Sequence, residues 1–364
     1  MAKAIRTGLA LKTFWGCALM GYSQDYQFND SHFHLTNYIQ KGITLDQMLE
    51  IMGDRVGRVA LFGIPLQQTW AFQNSGDYDP QYYLQTDAPL YYYSFTDAHI
   101  ASIYNQLTDE QKQRFDPMIT GFNPADMYAV DHIHRVLETF PGVFSGIGEF
   151  TVHKEFVSSK VAGNVASLTN PAMDSILTFT AETGLVSIIH CDIDIPFQKT
   201  GKKPVYLRQM LELLARHPDA TVIWAHTGLG RVVHPVTSNN SDNFFERSPA
   251  HLELLAEILA DSRFNHLHFD ISWDEVAKYV VSSPENIEKT ANLLNTYNTR
   301  FLFGTDNVAP ESKDQYFAVF DMYDPLWEKL TPETKENVLL KNYERLFDAA
   351  SAKVRKWEAA NLKK

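Results

Sequence analysis

From residue 26 onward, short runs of β-branched and aromatic residues alternate with longer segments whose apolar positions recur every three or four residues. The first pattern predicts strands and the second amphipathic helices. The predicted strands are YQFNDSHF (26–33), GRVALFGI (57–64), FDPMITGF (115–122), VFSGIGEF (143–150), LVSIIHCD (185–192), TVIWAHTG (221–228), HLHFDISW (266–273) and RFLFGTDN (300–307). Helical periodicity marks 44–54, 97–114, 171–184, 206–218 and 250–262, several of them opening on Pro or Asp and closing on Gly or Pro, as helix boundaries prefer. Eight strands, each followed by a helical segment, predict an α/β fold: a (β/α)₈ TIM barrel with long insertions in its βα loops. It would form a single catalytic domain over 24–350, followed by a helical tail at 351–364. A doubly wound open sheet is the alternative, but no G-x-G-x-x-G turn follows the first strand.

One segment is too long for an ordinary connection: Gln67–Phe95 is polar and dense in aromatics. On the barrel reading it follows the second strand on the face where such folds place their sites, which makes Trp70 and Tyr91 candidate substrate contacts. The alternative is a loop packed on its own aromatics. The segments 228–247 and 307–327 are also long and lie on the same face.

The first 23 residues differ from the rest. Lys3, Arg6 and Lys12 precede the apolar TFWGCALMG (13–21), and small residues lead up to Gln24. This is the layout of a secretory signal peptide, with the protein expected to be periplasmic or secreted; without that signal it would be cytoplasmic. The alternative is a loose N-terminal extension. Cys17 would leave with the signal, so Cys191 alone remains, and neither a disulfide framework nor a cysteine metal site can form.

Charge narrows the function classes further. With 32 Lys+Arg against 44 Asp+Glu, the net charge is −12, which argues against a nucleic-acid footprint. No run approaches the roughly 18 apolar residues that a membrane span needs. A small-molecule partner is expected, and the sequence leaves monomer and homo-oligomer open.

Candidate chemistry begins with FNDSHFHL (28–35). Residues two apart on a strand share a face with α-carbons about 6.5–7 Å apart, so His32 and His34 can converge on one ion. DHIH (131–134) has the same spacing inside a helical pattern, where residues two apart are rotated by about 200°. His132 and His134 are therefore expected to be solvated and to share nothing. Four more groups end predicted strands: Glu149, His190, His226 and Asp306. Barrel enzymes place catalytic groups at those ends. Taken singly, Glu149 could be a capping or ion-pair carboxylate, His190 and His226 core histidines, and Asp306 a helix N-cap.

Together these residues resemble the amidohydrolase superfamily of metal-dependent barrels. The resemblance rests on SHFHL, GIGEF, IIHCD, WAHTGLGR, FDISW and LFGTD, and on KNYERLF (341–347), which is similar to the final-helix pattern of the amidohydrolase-related branch. It implies that His32, His34 and Asp306 hold the more buried metal. With one ion, His190 completes that site and His226 acts as an electrophile or acid. With two, a carboxylate or carboxylated lysine of the fourth strand bridges them while His190 and His226 hold the second. No lysine ends that strand here, since Lys154 comes five residues after Glu149, so Glu149 would be the bridge.

Imidazole and carboxylate donors suit a divalent metal, one or two ions, with zinc first and manganese or iron next. Such an ion lowers the pKa of bound water from roughly 15.7 to about 7 and polarises a carbonyl or phosphoryl oxygen, and Asp306 beside it could take the proton. The expected function is hydrolysis of an ester, amide, lactone or phosphoester bond in a small molecule. A nonoxidative decarboxylase is the alternative, with Arg231 holding the substrate carboxylate. A noncatalytic, metal-containing ligand-binding protein is the third reading. Asp270 is expected to accept a hydrogen bond from a ligand histidine, Cys191 to fill the core, and His153 and His234 to be exposed.

Overall fold

Each of the eight predicted strands forms, and together they close a parallel ring. The computed structural model describes residues 26–163, 165–195, 204–230 and 251–362. The expected leader at 1–23, Arg231 and His234 lie outside these described residues. The strands are β1 (Phe28–His34), β2 (Val56–Phe62), β3 (Leu66–Gln68), β4 (Leu90–Tyr92), β5 (Phe115–Ile119), β6 (Gly146–His153), β7 (Val186–Cys191), β8 (Val222–Trp224), β9 (Leu267–Asp270), β10 (Phe301–Leu302) and β11 (Asn307–Val308). All but β3 and β4 join one sheet in the order β10-β9-β8-β7-β6-β5-β2-β1-β11. The eighth predicted strand is thus split: β10 pairs with β9 on one edge and β11 with β1 on the other, so a single stretch of chain closes the ring.

Asp30 secures that closure. Its carboxylate accepts from the amides of His32 (3.0 Å) and Thr305 (2.9 Å), from the Thr305 hydroxyl (2.7 Å) and from the Tyr316 hydroxyl (2.7 Å). The Ser31 amide donates to the Phe303 carbonyl (3.0 Å), and the Asp306 amide to the His32 carbonyl (2.8 Å). Gly304 lets the two segments approach, since a Cβ there would lie 2.7 Å from the Cβ of His32.

The apolar residues divide as a barrel requires. Phe33, Ile189, Trp224 and Phe269 pack outward under the helices. Ala60, Phe62, Met118, Val186, Ile188, Ile223 and Leu302 fill the lumen, together with Tyr343, Leu346, Phe347 and Ala350 of the final helix, Asn342–Asn361. The KNYERLF segment is therefore a plug. Asn342 donates to the carbonyls of Asn298 and Phe301 (2.7 and 2.8 Å), and Tyr343 to Asp116 (2.7 Å), which also pairs with Arg58 (2.8 Å). Phe347→Ala is expected to cost about 3–5 kcal/mol of stability, because a fully buried ring leaves a cavity the rigid lumen cannot fill. Urea unfolding would show it.

Several boundaries differ from the sequence expectation. The final helix runs unbroken across residue 350, so no separate tail begins there. The segment 97–114 is two helices, Phe95–Tyr104 and Asp109–Lys112, because Thr108 and Gln111 form a reciprocal cap that starts the second. β6 continues three residues past the predicted end at 150, with Phe150 and Val152 carrying on the buried alternation. The long segment after β2 holds the antiparallel β3–β4 hairpin, and it packs Tyr83, Leu66 and Leu90 against Tyr38 and Ile64.

One buried histidine makes stability pH-dependent. Burial, with Arg300 and Arg345 nearby, pushes His268 down to about 3. Below roughly pH 6.5 the unfolded chain takes up this proton and the folded chain does not until about 3. Stability therefore falls as pH falls through that window, by up to about 1.4 kcal/mol per pH unit for this group. Denaturant melts at pH 7, 6 and 5 should show a shallower loss for His268→Gln than for wild type.

Candidate metal centre

Six of the side chains singled out in the sequence meet at the carboxyl end of the ring. His32 and His34 come from β1, Glu149 from β6 and His190 from β7. His226 stands two residues past the end of β8, and Asp306 lies between β10 and β11. Phe33 turns to the outer layer between the two histidines, as strand alternation demands.

Glu149 is at the centre. Its Oε2 faces the Nε2 atoms of His32 (3.7 Å) and His34 (3.3 Å). Its Oε1 faces His226 Nε2 (3.5 Å) and is hydrogen-bonded to His190 Nδ1. Asp306 Oδ1 lies 3.3 Å from His32 Nε2 and 3.2 Å from His34 Nε2. Three clusters result: His32, His34 and Glu149; Glu149, His190 and His226; and His32, His226 and Asp306, each with donor atoms within 4.8 Å of one another. Glu149 does not end its strand as expected. It sits within β6, where the register with β7 shifts, and Gly148 before it has φ +107° with no room for a Cβ beside the Ile188 carbonyl.

The other ring nitrogen of each histidine has its own partner. His32 Nδ1 bonds to Asp270 (3.0 Å), and His34 Nδ1 donates to the Gly63 carbonyl (3.3 Å). His190 Nε2 meets Asp192 (3.2 Å). The Ser272 hydroxyl gives its proton to Asp270 and so accepts from His226 Nδ1 (2.9 Å). These partners fix the ring angles, so that Nε2 of His32, His34 and His226 and Nδ1 of His190 all aim at the centre. The Nε2 atoms of His32 and His226 are buried and unpartnered by any hydrogen bond. Buried polar atoms are rarely left so. Four oriented imidazoles around two carboxylates, with nitrogens waiting, fit a divalent cation.

The backbone here is also unusual. His226, Thr227, Trp273 and Asp306 have φ of 55°, 55°, 81° and 52°. Left-handed conformations cost non-glycine residues on the order of 1–3 kcal/mol each and persist where the surroundings impose them, often at functional sites.

The carboxylates dominate the electrostatics of the cluster. Burial opposes a charge on His32, but Asp270 outweighs it and holds the imidazole well above its ordinary value. Burial would raise Asp306, yet His226, His34 and His32 hold it far below the carboxylate range. Glu149 is lowered in the same way, burial being overcome by His190 and Lys154. Burial lowers His226 and favours its neutral, donor form. Buried carboxylates here draw positive charge onto their neighbours.

The cluster opens on a cavity of about 410 Å³ lined by His34, Glu149, Asp306, Tyr38, Tyr82, Lys154 and Trp273, among others. Trp70 and Tyr91 do not line it. They are 53% and 42% exposed, and Tyr91 points away because it lies opposite Gln67 in the hairpin, between inward-facing Leu90 and Tyr92. Tyr82, from the same segment, lines the cavity instead. His132 and His134 have separate partners, and neither is fully solvated: His132 bonds to buried Asp97 (3.0 Å), and His134 packs on Phe179 and Trp357. His153 is not exposed either; it stacks on Tyr206 with centroids 3.7 Å apart. Cys191 is buried in the outer layer. Asp192, Ser272 and Lys154 had no role in the sequence reading. For Lys154, simple alternation from Glu149 points to the opposite face, and the register shift between Thr151 and His153 that breaks this parity is not visible in the sequence.

The family model described as Amidohydrolase matches residues 30–349. The chain belongs to the amidohydrolase family. Among solved structures, similar ones include an uncharacterized TIM-barrel protein from Bordetella bronchiseptica, at 14% identity and TM-score 0.54 over 89% of this chain and 99% of that one. An amidohydrolase from Burkholderia multivorans with bound zinc shares 12% identity at TM-score 0.54, over 88% and 99% of the two chains. A probable 2-pyrone-4,6-dicarboxylic acid hydrolase from Acinetobacter baumannii, with citric acid bound, shares 13% identity at TM-score 0.50, over 88% and 99%. At these identities the likeness is one of fold. No curated protein matches the chain significantly. No helix among the described residues is long and apolar enough to cross a membrane.

Proposed function

We propose that this amidohydrolase is a two-metal hydrolase that cleaves an ester, amide, lactone or phosphoester bond of a small molecule. The observation that carries the reading is the placement of Glu149, one carboxylate oxygen toward the His32–His34 pair and the other toward the His190–His226 pair. His32, His34 and Asp306 would hold one ion, His190 and His226 the other, and Glu149 both. Zinc suits these donors best, with manganese or iron next. A divalent ion supplies acidification of water and polarisation of the bond to be cleaved.

The chain's own residues do the rest. Asp306 is the most open of the six side chains, 12% exposed against 4% or less for its neighbours, and it lines the cavity. Its carboxylate is ionised beside His226, His34 and His32, and its place on the cavity wall puts it where it can take a proton from the attacking water and pass it to the leaving group. Asp270 holds both the His32 ring and the His226 amide (2.8 Å), so one carboxylate ties the two histidine pairs together. Tyr38, Tyr82 and Trp273 wall the cavity and limit water around the bond under attack.

The test is metal analysis of zinc-reconstituted protein, then turnover of an ester, lactone, amide and phosphoester panel in ¹⁸O-labelled water. Two ions per chain and one labelled oxygen per bond cleaved, in the acid or phosphate product, are expected. Carbon dioxide release from aromatic or aliphatic acids without label incorporation would overturn hydrolysis in favour of decarboxylation.

A further inference from the structure

We propose that Lys154 binds a carboxylate carried by the substrate, away from the bond that is cleaved, so that the site selects anionic small molecules. The inference names the substrate class of the proposed hydrolase and rests on that reading.

Lys154 directly follows β6 and lines the cavity with His34, Glu149 and Asp306. Its backbone is pinned on both sides, the amide donating to the Ser158 hydroxyl (2.9 Å) and the carbonyl accepting from it (2.8 Å). Its ammonium stands 5.9 Å from the centroid of the Trp273 ring. Among the described residues no carboxylate lies within ion-pair distance of it. Other lysines are engaged: Lys278, Lys289 and Lys341 each hold a carboxylate at 2.6, 2.9 and 2.7 Å, and Lys160 donates to the carbonyls of Tyr83 and Thr86.

Burial opposes the charge on Lys154, while Tyr38 and Glu149 favour it. The carboxylates that share the cavity are engaged: Glu149 and Asp306 face four imidazoles and would be claimed by cations bound among them, and Asp274 pairs with Lys278 (2.6 Å). With those charges satisfied, Lys154 is a surplus cation on the wall of a partly enclosed cavity, and such a cation gains from an anionic partner. One ammonium matches a singly charged carboxylate better than a phosphate, which carries up to two charges near neutral pH. A group held at Lys154 shares the cavity with Asp306.

The experiment is a binding cycle on the zinc-loaded protein by titration calorimetry, with glutarate and monomethyl glutarate as probes. One carboxylate of each can sit on metal; only glutarate has a second for Lys154. Wild type is expected to bind glutarate roughly 10- to 100-fold more tightly than the monoester, the range of a charge-assisted hydrogen bond. Lys154→Gln should bind the two equally, and Lys154→Arg should keep most of the preference, which also shows that the position tolerates substitution. Equal binding of both probes by wild type, or an undiminished preference in Lys154→Gln, would overturn the proposal. Because the readout is binding, it is separate from turnover. A charge preference without hydrolysis sinks the hydrolase and keeps Lys154's role; hydrolysis of neutral and anionic esters alike does the reverse.

Discussion

Zinc-loaded protein carrying Asp306→Asn is expected to turn over its best substrate about 10²–10⁴-fold more slowly than wild type, with the loss in kcat and KM within a few-fold. Asparagine keeps an oxygen at the same place but cannot take a proton. The substitution spares the fold, because Asp306 is held in position by its backbone amide on the His32 carbonyl (2.8 Å), which asparagine retains. Its left-handed φ of 52° is likewise a conformation asparagine tolerates. A variant that kept kcat within tenfold of wild type would show that the proton goes elsewhere.

The second large effect is expected at Glu149. Replacement by glutamine should lower the metal content of reconstituted protein from about two ions per chain to about one or fewer and remove most activity. A neutral amide is a poor bridge between two cations, and one of its ends offers donors where His190 and His226 present nitrogens. Circular dichroism should be unchanged, since Glu149 sits at a register shift and its side chain holds no part of the strand ladder. Elemental analysis alongside a turnover assay would check both. Unchanged metal content and unchanged activity together would remove Glu149 from the site.

Much of the ring was legible in the sequence because each strand is an apolar run ended by turn residues, and the chemically loaded side chains stand at those ends. His32 and His34 could be distinguished from His132 and His134 by period alone. What could not be read depends on contacts far apart in sequence. Asp97 as the partner of His132, the Gly63 carbonyl behind His34 and Ser272 behind His226 are set by tertiary packing. Tyr91 lies off the cavity because the facing of a three-residue strand inside a long loop depends on its register with the opposite strand, and Trp70, two residues past β3, turns its indole to the Gly76 carbonyl (3.1 Å). The split of the eighth strand was hidden as well, since RFLFGTDN reads as one run and only its pairing with both edges of the sheet breaks it.

That closing stretch has a consequence for maturation. The first strand and the last are joined by Asp30 and by the amide of Asp306, so the ring gains its final contacts only when nearly the whole chain is available. Pairings this distant are slow to form, because a long loop must be ordered before they reward it. On the ribosome, where the N-terminal part emerges first, β1 waits for its partner with His32 and His34 already made but Asp306 not yet synthesised. Metal loading is therefore expected to be a late event, coincident with the joining of the two chain ends. The ion that fills this centre would be selected by whatever compartment the finished chain occupies at that moment.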